Sequence, residues 1–162
     1  MEKRVVRVFI PTRNSADFVR IKNTFNFLLL LVLIGSCQPD LSDDPIPYQN
    51  FPPIEINLSL PEYVSLATDG GYIYINSGGV RGIILYRKSS NVYLAYERNC
   101  SYQPASACAT VDTEITYMKD SCCGSLFNYS DGKPIGGPAW RPLQQYRTNL
   151  SGTTLTITDQ VI

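Results

Sequence analysis

Five cysteines and no histidine define the chemistry open to this chain of 162 residues. Thiols can ligate metals, form disulfides or carry acyl groups. Imidazole, the side chain most often used as a general base or metal ligand near neutral pH, is missing. Its absence excludes Ser-His-Asp and Cys-His catalysis, HExxH zinc sites and every histidine-ligated metal centre built from this chain alone. Among the carboxylates, Asp112, Glu114 and Asp120 lie close enough in sequence to suggest an acid–base site. Asp112 and Glu114, however, share one face of an expected exposed strand, and no general acid is paired with them. Asp69-Gly70-Gly71 and Ser77-Gly78-Gly79 read as hairpin turns rather than phosphate-binding loops. No catalytic residue and no metal site is therefore expected. Fourteen Lys and Arg balance fourteen Asp and Glu, so the basic excess of a nucleic-acid binder is lacking.

Cys37 stands apart from the other four cysteines. It follows an apolar run from Phe25 to Ile34, broken only by Asn26, with Arg20 and Lys22 upstream. Ten residues fall short of the roughly 20 needed to cross a bilayer, but they match the core of an export signal. The run ends in Leu33-Ile34-Gly35-Ser36-Cys37, which resembles the bacterial lipobox. Residues 1–36 are thus expected to be a signal peptide and Cys37 the lipidated N-terminus of the mature chain. Membrane attachment through acyl chains and a cell-envelope location, facing the periplasm or the surface, follow as expectations. A signal of ordinary proportions begins at Val19, so residues 1–18 read as an extension ahead of the true start. Residues 37–53 hold Asp40, Asp43, Asp44, Pro45, Pro47, Pro52 and Pro53 and have the composition of an extended tether.

The elements that must position the remaining cysteines are strands. Apolar residues alternate through Ile54-Glu55-Ile56-Asn57-Leu58-Ser59-Leu60, a period of two. Further strands are expected at 72–75, 82–87, 92–97, 111–117, 126–129, 144–148 and 153–158. Gly- and Ser-rich turns separate the earlier ones, and no stretch after Cys37 has helical periodicity. The expected fold class is all-β, an antiparallel sandwich or barrel over residues 54–162.

Two loops carry the four cysteines: Asn99-Cys100-Ser101-Tyr102 with Cys108 beyond, and Asp120-Ser121-Cys122-Cys123-Gly124-Ser125-Leu126-Phe127. Downstream come Asp131-Gly132-Lys133-Pro134, Gly137-Pro138-Ala139, Pro142-Leu143 and Tyr146. This order resembles the Rieske iron–sulfur domain, with the specific part running from Asn99 to Tyr146. The resemblance implies a Rieske-like fold of two cluster loops and a Gly-Pro-Ala covering loop. The ligand positions carry over unevenly. Cys100 matches the first cysteine ligand, Tyr102 stands at the first histidine, Asp120 at the second cysteine and Cys123 at the second histidine. A Rieske centre holds one iron with two thiolates and the other with two imidazoles, and this chain has no imidazole.

From the same resemblance, Cys122 matches the extra cysteine that pins the second loop to the first in respiratory members. The pairing expected is Cys108–Cys122 with Cys100–Cys123; Cys100–Cys122 with Cys108–Cys123 remains the alternative. The two cysteine loops are then expected to collapse together, with Asp120 turned to water and no cofactor bound. The resulting expectation is a lipid-anchored structural or interaction module with an envelope protein as partner. Its alternative is an electron-transfer protein with a [2Fe–2S] cluster, serving an oxidoreductase.

Overall fold

The structure, a computed structural model, describes residues 44–162. The expected signal segment, Cys37 and the first part of the tether lie outside the described residues. Among the described residues, ten strands form two antiparallel sheets. The larger has the order β1 (Ile54–Asn57), β10 (Thr154–Val161), β9 (Gln145–Ser151), β4 (Val92–Glu97), β3 (Ile83–Ser89) and β2 (Tyr72–Ile75). The smaller runs β5 (Val111–Thr113), β6 (Met118–Asp120), β7 (Leu126–Phe127) and β8 (Pro134–Gly136). The all-β antiparallel expectation holds.

β3 and β4 divide two apolar cores. Alternate side chains leave opposite faces of a strand. Ile83, Leu85, Tyr93 and Ala95 therefore enter one core with Ile56, Leu155 and Ile157 from β1 and β10. Ile84 and Tyr96 enter the other, with Val111, Met118 and Phe127 from the small sheet. Cys100 is a buried member of this second core, so the first cysteine loop is packed rather than draped on the surface.

Local chemistry shifts several element boundaries from the sequence reading. The first strand stops at Asn57, where the Asn57 side chain accepts the Ser59 N–H at 3.0 Å and turns the chain. A 3-10 helix then spans Pro61–Ala67, with proline at its start fixing φ in the helical range. Neither the truncation nor the helix is expected from period-two alternation. Of the strand expected over 111–117 only β5 forms; a turn in which the Glu114 N–H donates to the Tyr117 carbonyl at 2.8 Å then leads into a separate strand, β6. That split places Asp120 at the end of a strand, directly before the second cysteine loop. Phe51, within the stretch read as tether, is buried in the first core and packs edge-on against Tyr146, ring centroids 5.1 Å apart.

Candidate metal centre

Both cysteine loops leave the sheets at one end of the second core. The first begins where β4 ends, at Glu97. This carboxylate is buried and fully used: it accepts the N–H groups of Val80 (2.7 Å), Arg81 (3.0 Å) and Asn99 (2.8 Å), and the Tyr146 hydroxyl (2.7 Å). A buried carboxylate is tolerated when donors surround it. Gly79 is required beside it, because φ is +68° there and an added Cβ would sit 2.4 Å from Glu97 Oε2. The burial and the Glu97 hydrogen bond hold the Tyr146 phenol well above its usual pKa.

Arg81 then organises the loop itself. Its guanidinium donates to Asn99 Oδ1 (2.7 Å), the Ala107 carbonyl (2.8 Å) and the Ser106 carbonyl (2.6 Å). These bonds fold residues 99–110 into a fixed arch, closed by Cys100 N–H donating to the Ala109 carbonyl at 3.1 Å. The other cations of this stretch are engaged as well: Arg87 with Asp69 and the Leu66 carbonyl, Lys88 with the Ser130 carbonyl, and Arg98 with Asp112 and the face of Tyr74.

The second loop is a tight turn after β6. Gly124 N–H donates to the Asp120 carbonyl (2.8 Å), and Cys122 N–H donates to Asp120 Oδ1 (2.7 Å). A disulfide between Cys108 and Cys122, with Cα atoms 5.6 Å apart, ties this turn to the arch. The covering loop closes from the third side. Ser101 Oγ donates to the Arg141 carbonyl (2.7 Å), and Ala139 N–H donates to Ser125 Oγ (3.1 Å). Gly137, at φ +81°, approaches so closely that a Cβ would meet Ser125 Cα at 2.5 Å.

Inside this enclosure stand the three remaining ligand-type side chains. Cys100 is buried, Cys123 is half-buried, and both are free thiols with their sulfurs 3.8 Å apart. The Cys100–Cys123 bridge expected from sequence is therefore not formed here. Asp120 is completely buried, not turned to water. Its Oδ2 lies 3.2 Å from Cys123 Sγ, while Oδ1 is held by the Cys122 N–H. Among the described residues no Lys or Arg forms an ion pair with it. Desolvation, followed by the hydrogen bond to Asp120, pushes the Cys100 thiol up. Tyr102 is half-buried against the second core and reaches the site through its backbone, donating its N–H to Cys100 Sγ at 3.5 Å.

Cys100 Sγ, Cys123 Sγ and an Asp120 carboxylate oxygen all lie within 4.8 Å of one another, a group able to hold a metal ion. This overturns the expectation that the site holds no cofactor. From sequence the two thiols pair in a disulfide and the carboxylate faces solvent; the loops instead converge all three on one point. A Rieske centre is a different matter. Its imidazole ligands are absent from the chain, and an all-cysteine set fails because Cys108 and Cys122 are consumed by their disulfide.

Two loops, one following β4 and one following β6, linked by a disulfide and shielded by a third, enclose the site. This is the arrangement of loops that the sequence resemblance implies. Among solved structures, the chain is similar to one in the complex of reduced oxygenase and oxidized ferredoxin in carbazole 1,9a-dioxygenase. There the identity is 16% over 59% of this chain and 86% of that one, with a TM-score of 0.44. It is also similar to the ferredoxin of carbazole 1,9a-dioxygenase from Nocardioides aromaticivorans IC177, again at 16% identity, over 57% of this chain and 88% of that one, TM-score 0.39. No family model matches the sequence, and no curated protein does.

Sequence reasoning singled out Cys100, Tyr102, Asp120 and Cys123, and the structure brings three of those side chains to one point. It missed the supports: Glu97, Arg81, Asn99, Ser101 and Ser125. One signal was available for Glu97. A lone charge ending the run Val92-Tyr93-Leu94-Ala95-Tyr96, just ahead of a cysteine loop, is out of place unless it is paired.

Proposed function

We propose that this protein is an exported lipoprotein, anchored through Cys37, that displays a metal-holding Rieske-like domain at the bacterial cell envelope. The observation that carries the metal-holding part is the convergence of Cys100, Asp120 and Cys123 within 4.8 Å inside a cross-linked enclosure. Among the described residues Asp120 has no cation partner; a buried carboxylate in that state beside two thiols is costly, and a bound cation offsets that cost. The anchoring part rests on the apolar run and the Leu33-to-Cys37 motif. Trp140 and Ile135, exposed near the covering loop, are the side chains a protein partner at this end would cover.

The test is elemental analysis of the full chain purified without oxygen from its own membranes, together with mass analysis of its N-terminal peptide. The expected result is metal bound in proportion to protein, and a mature N-terminus at Cys37 carrying acyl mass. Metal-free protein from several growth conditions would remove the first part of the proposal. An unmodified Cys37 would remove the second.

A further inference from the structure

We infer that Cys100, Asp120 and Cys123 bind a single zinc-class divalent ion in tetrahedral geometry, with the fourth position left to water or an exogenous ligand. The inference rests on the metal-holding reading above and adds the nuclearity and class of the ion. The quantity that bears on nuclearity is the sulfur–sulfur distance of 3.8 Å, a thiol–thiol contact in the metal-free site. Bonded sulfurs of a disulfide sit at about 2.0 Å. Two thiolates on one tetrahedral zinc, at Zn–S of about 2.3 Å, lie about 3.8 Å apart. Two ligands on opposite irons of a two-iron cluster are separated by the cluster itself. Cys100 and Cys123 stand at positions that serve different irons in a Rieske centre, yet here they have closed to the spacing of neighbours on one ion.

The donor set agrees. Two sulfurs and one carboxylate oxygen suit a borderline ion; they are too hard for copper(I) and too soft for magnesium or calcium. Three protein ligands with an open fourth position is a recurrent zinc arrangement. Each ligand also has an outer partner that fixes it. Tyr102 N–H reaches Cys100 Sγ, and Cys122 N–H holds the far oxygen of Asp120. Ser125 Oγ lies 3.0 Å from Cys123 Sγ. In the metal-free site the Cys123 thiol is the donor to both Asp120 Oδ2 and Ser125 Oγ; once that thiol is ionised on a metal, the Ser125 hydroxyl becomes the donor to the sulfur. Such donors spread the negative charge that two thiolates and a carboxylate leave over on a divalent ion.

The experiment uses the full chain in detergent, purified without oxygen and stripped with a chelator. It is titrated with Co²⁺ as a spectroscopic probe and then with Zn²⁺. One cobalt per chain is expected, with intense visible bands of tetrahedral cobalt and sulfur-to-cobalt charge transfer, and one zinc should displace it. Cys100→Ser and Cys123→Ser should each weaken zinc binding by more than about 100-fold and cut the charge-transfer band. Asp120→Asn should weaken it by roughly 10- to 100-fold while keeping that band. Because Cys100 is buried and its replacement disturbs the core, Asp120→Asn supplies a second readout that leaves both thiols in place. Two irons per chain with acid-labile sulfide would overturn the single-ion inference while leaving the metal-holding reading standing. Failure to take up cobalt, zinc or iron would overturn both. Cobalt spectra unchanged in the two serine variants would place the ion elsewhere and overturn the inference.

Discussion

Glu97 and Asp120 are both fully buried carboxylates, and they are solved in different ways. Glu97 has four donors and needs nothing more. Asp120 has one donor on Oδ1, while Oδ2 faces thiols. Glu97→Gln keeps the shape but turns an amide N–H₂ toward backbone N–H groups. It should lower unfolding free energy by about 2–3 kcal/mol, measured by urea denaturation. Tyr146→Phe removes a single donor to the same carboxylate and should cost about 1–2 kcal/mol. The double variant should fall short of the sum, because the two share one bond. At Cys100 the raised pKa means that the thiol stays protonated where an ordinary cysteine ionises. In metal-free protein, iodoacetamide at pH 8 should therefore modify Cys123 well before Cys100, as read by peptide mass. Equal rates at the two thiols would contradict that assignment. Asp120 could not be placed from sequence because the cost of burying it was weighed against the donors visible nearby. The group that holds it is a backbone N–H two residues on, which only the turn geometry reveals.

Of the longer strands, β2 and β4 were legible to the residue, and β3, β9 and β10 run two or three residues past their expected ends. The short ones were not. β6 and β8 have three residues each, too few for a period, and β8 begins at a proline. The 3-10 helix was masked by a strand pattern that ran into it through Leu58 and Leu60. Its signal was Pro61-Glu62, a proline at the first helical position followed by an acid. The loops were legible as a pair because their cysteines and glycines survive, while the residues that shape them carry no spacing of their own. At this scale the Cys108–Cys122 cross-link spans 14 residues. Its removal in a Cys108→Ser, Cys122→Ser variant should cost about 3 kcal/mol by loop entropy. The apparent melting temperature should fall accordingly. If the site is held mainly by the arch that Arg81 ties, metal affinity should drop by less in this variant than in Arg81→Ala, which a competition titration can rank.

Across the whole described chain, two cores share one wall, β3 and β4, and the first is completed from outside the strands by Phe51. Its ring meets Tyr146, whose hydroxyl ends on Glu97, so the stretch before β1 is packed two contacts from the carboxylate that opens the first cysteine loop. Phe51→Ala should destabilise the protein by about 3–5 kcal/mol, and calorimetry should show it as a single shifted transition. A loss below about 1 kcal/mol would mean that the segment adds little to the core.

The docking of that segment also limits reach. Tyr48 donates its hydroxyl to Asp159 Oδ2 at 2.7 Å, so the chain is already held to the domain there. Eleven residue steps separate it from Cys37. Fully extended at about 3.5 Å each, they span no more than roughly 40 Å. With the proposed anchor at Cys37, the site patrols a thin shell over the bilayer, and anything that exchanges a ligand with it must come to the membrane to do so.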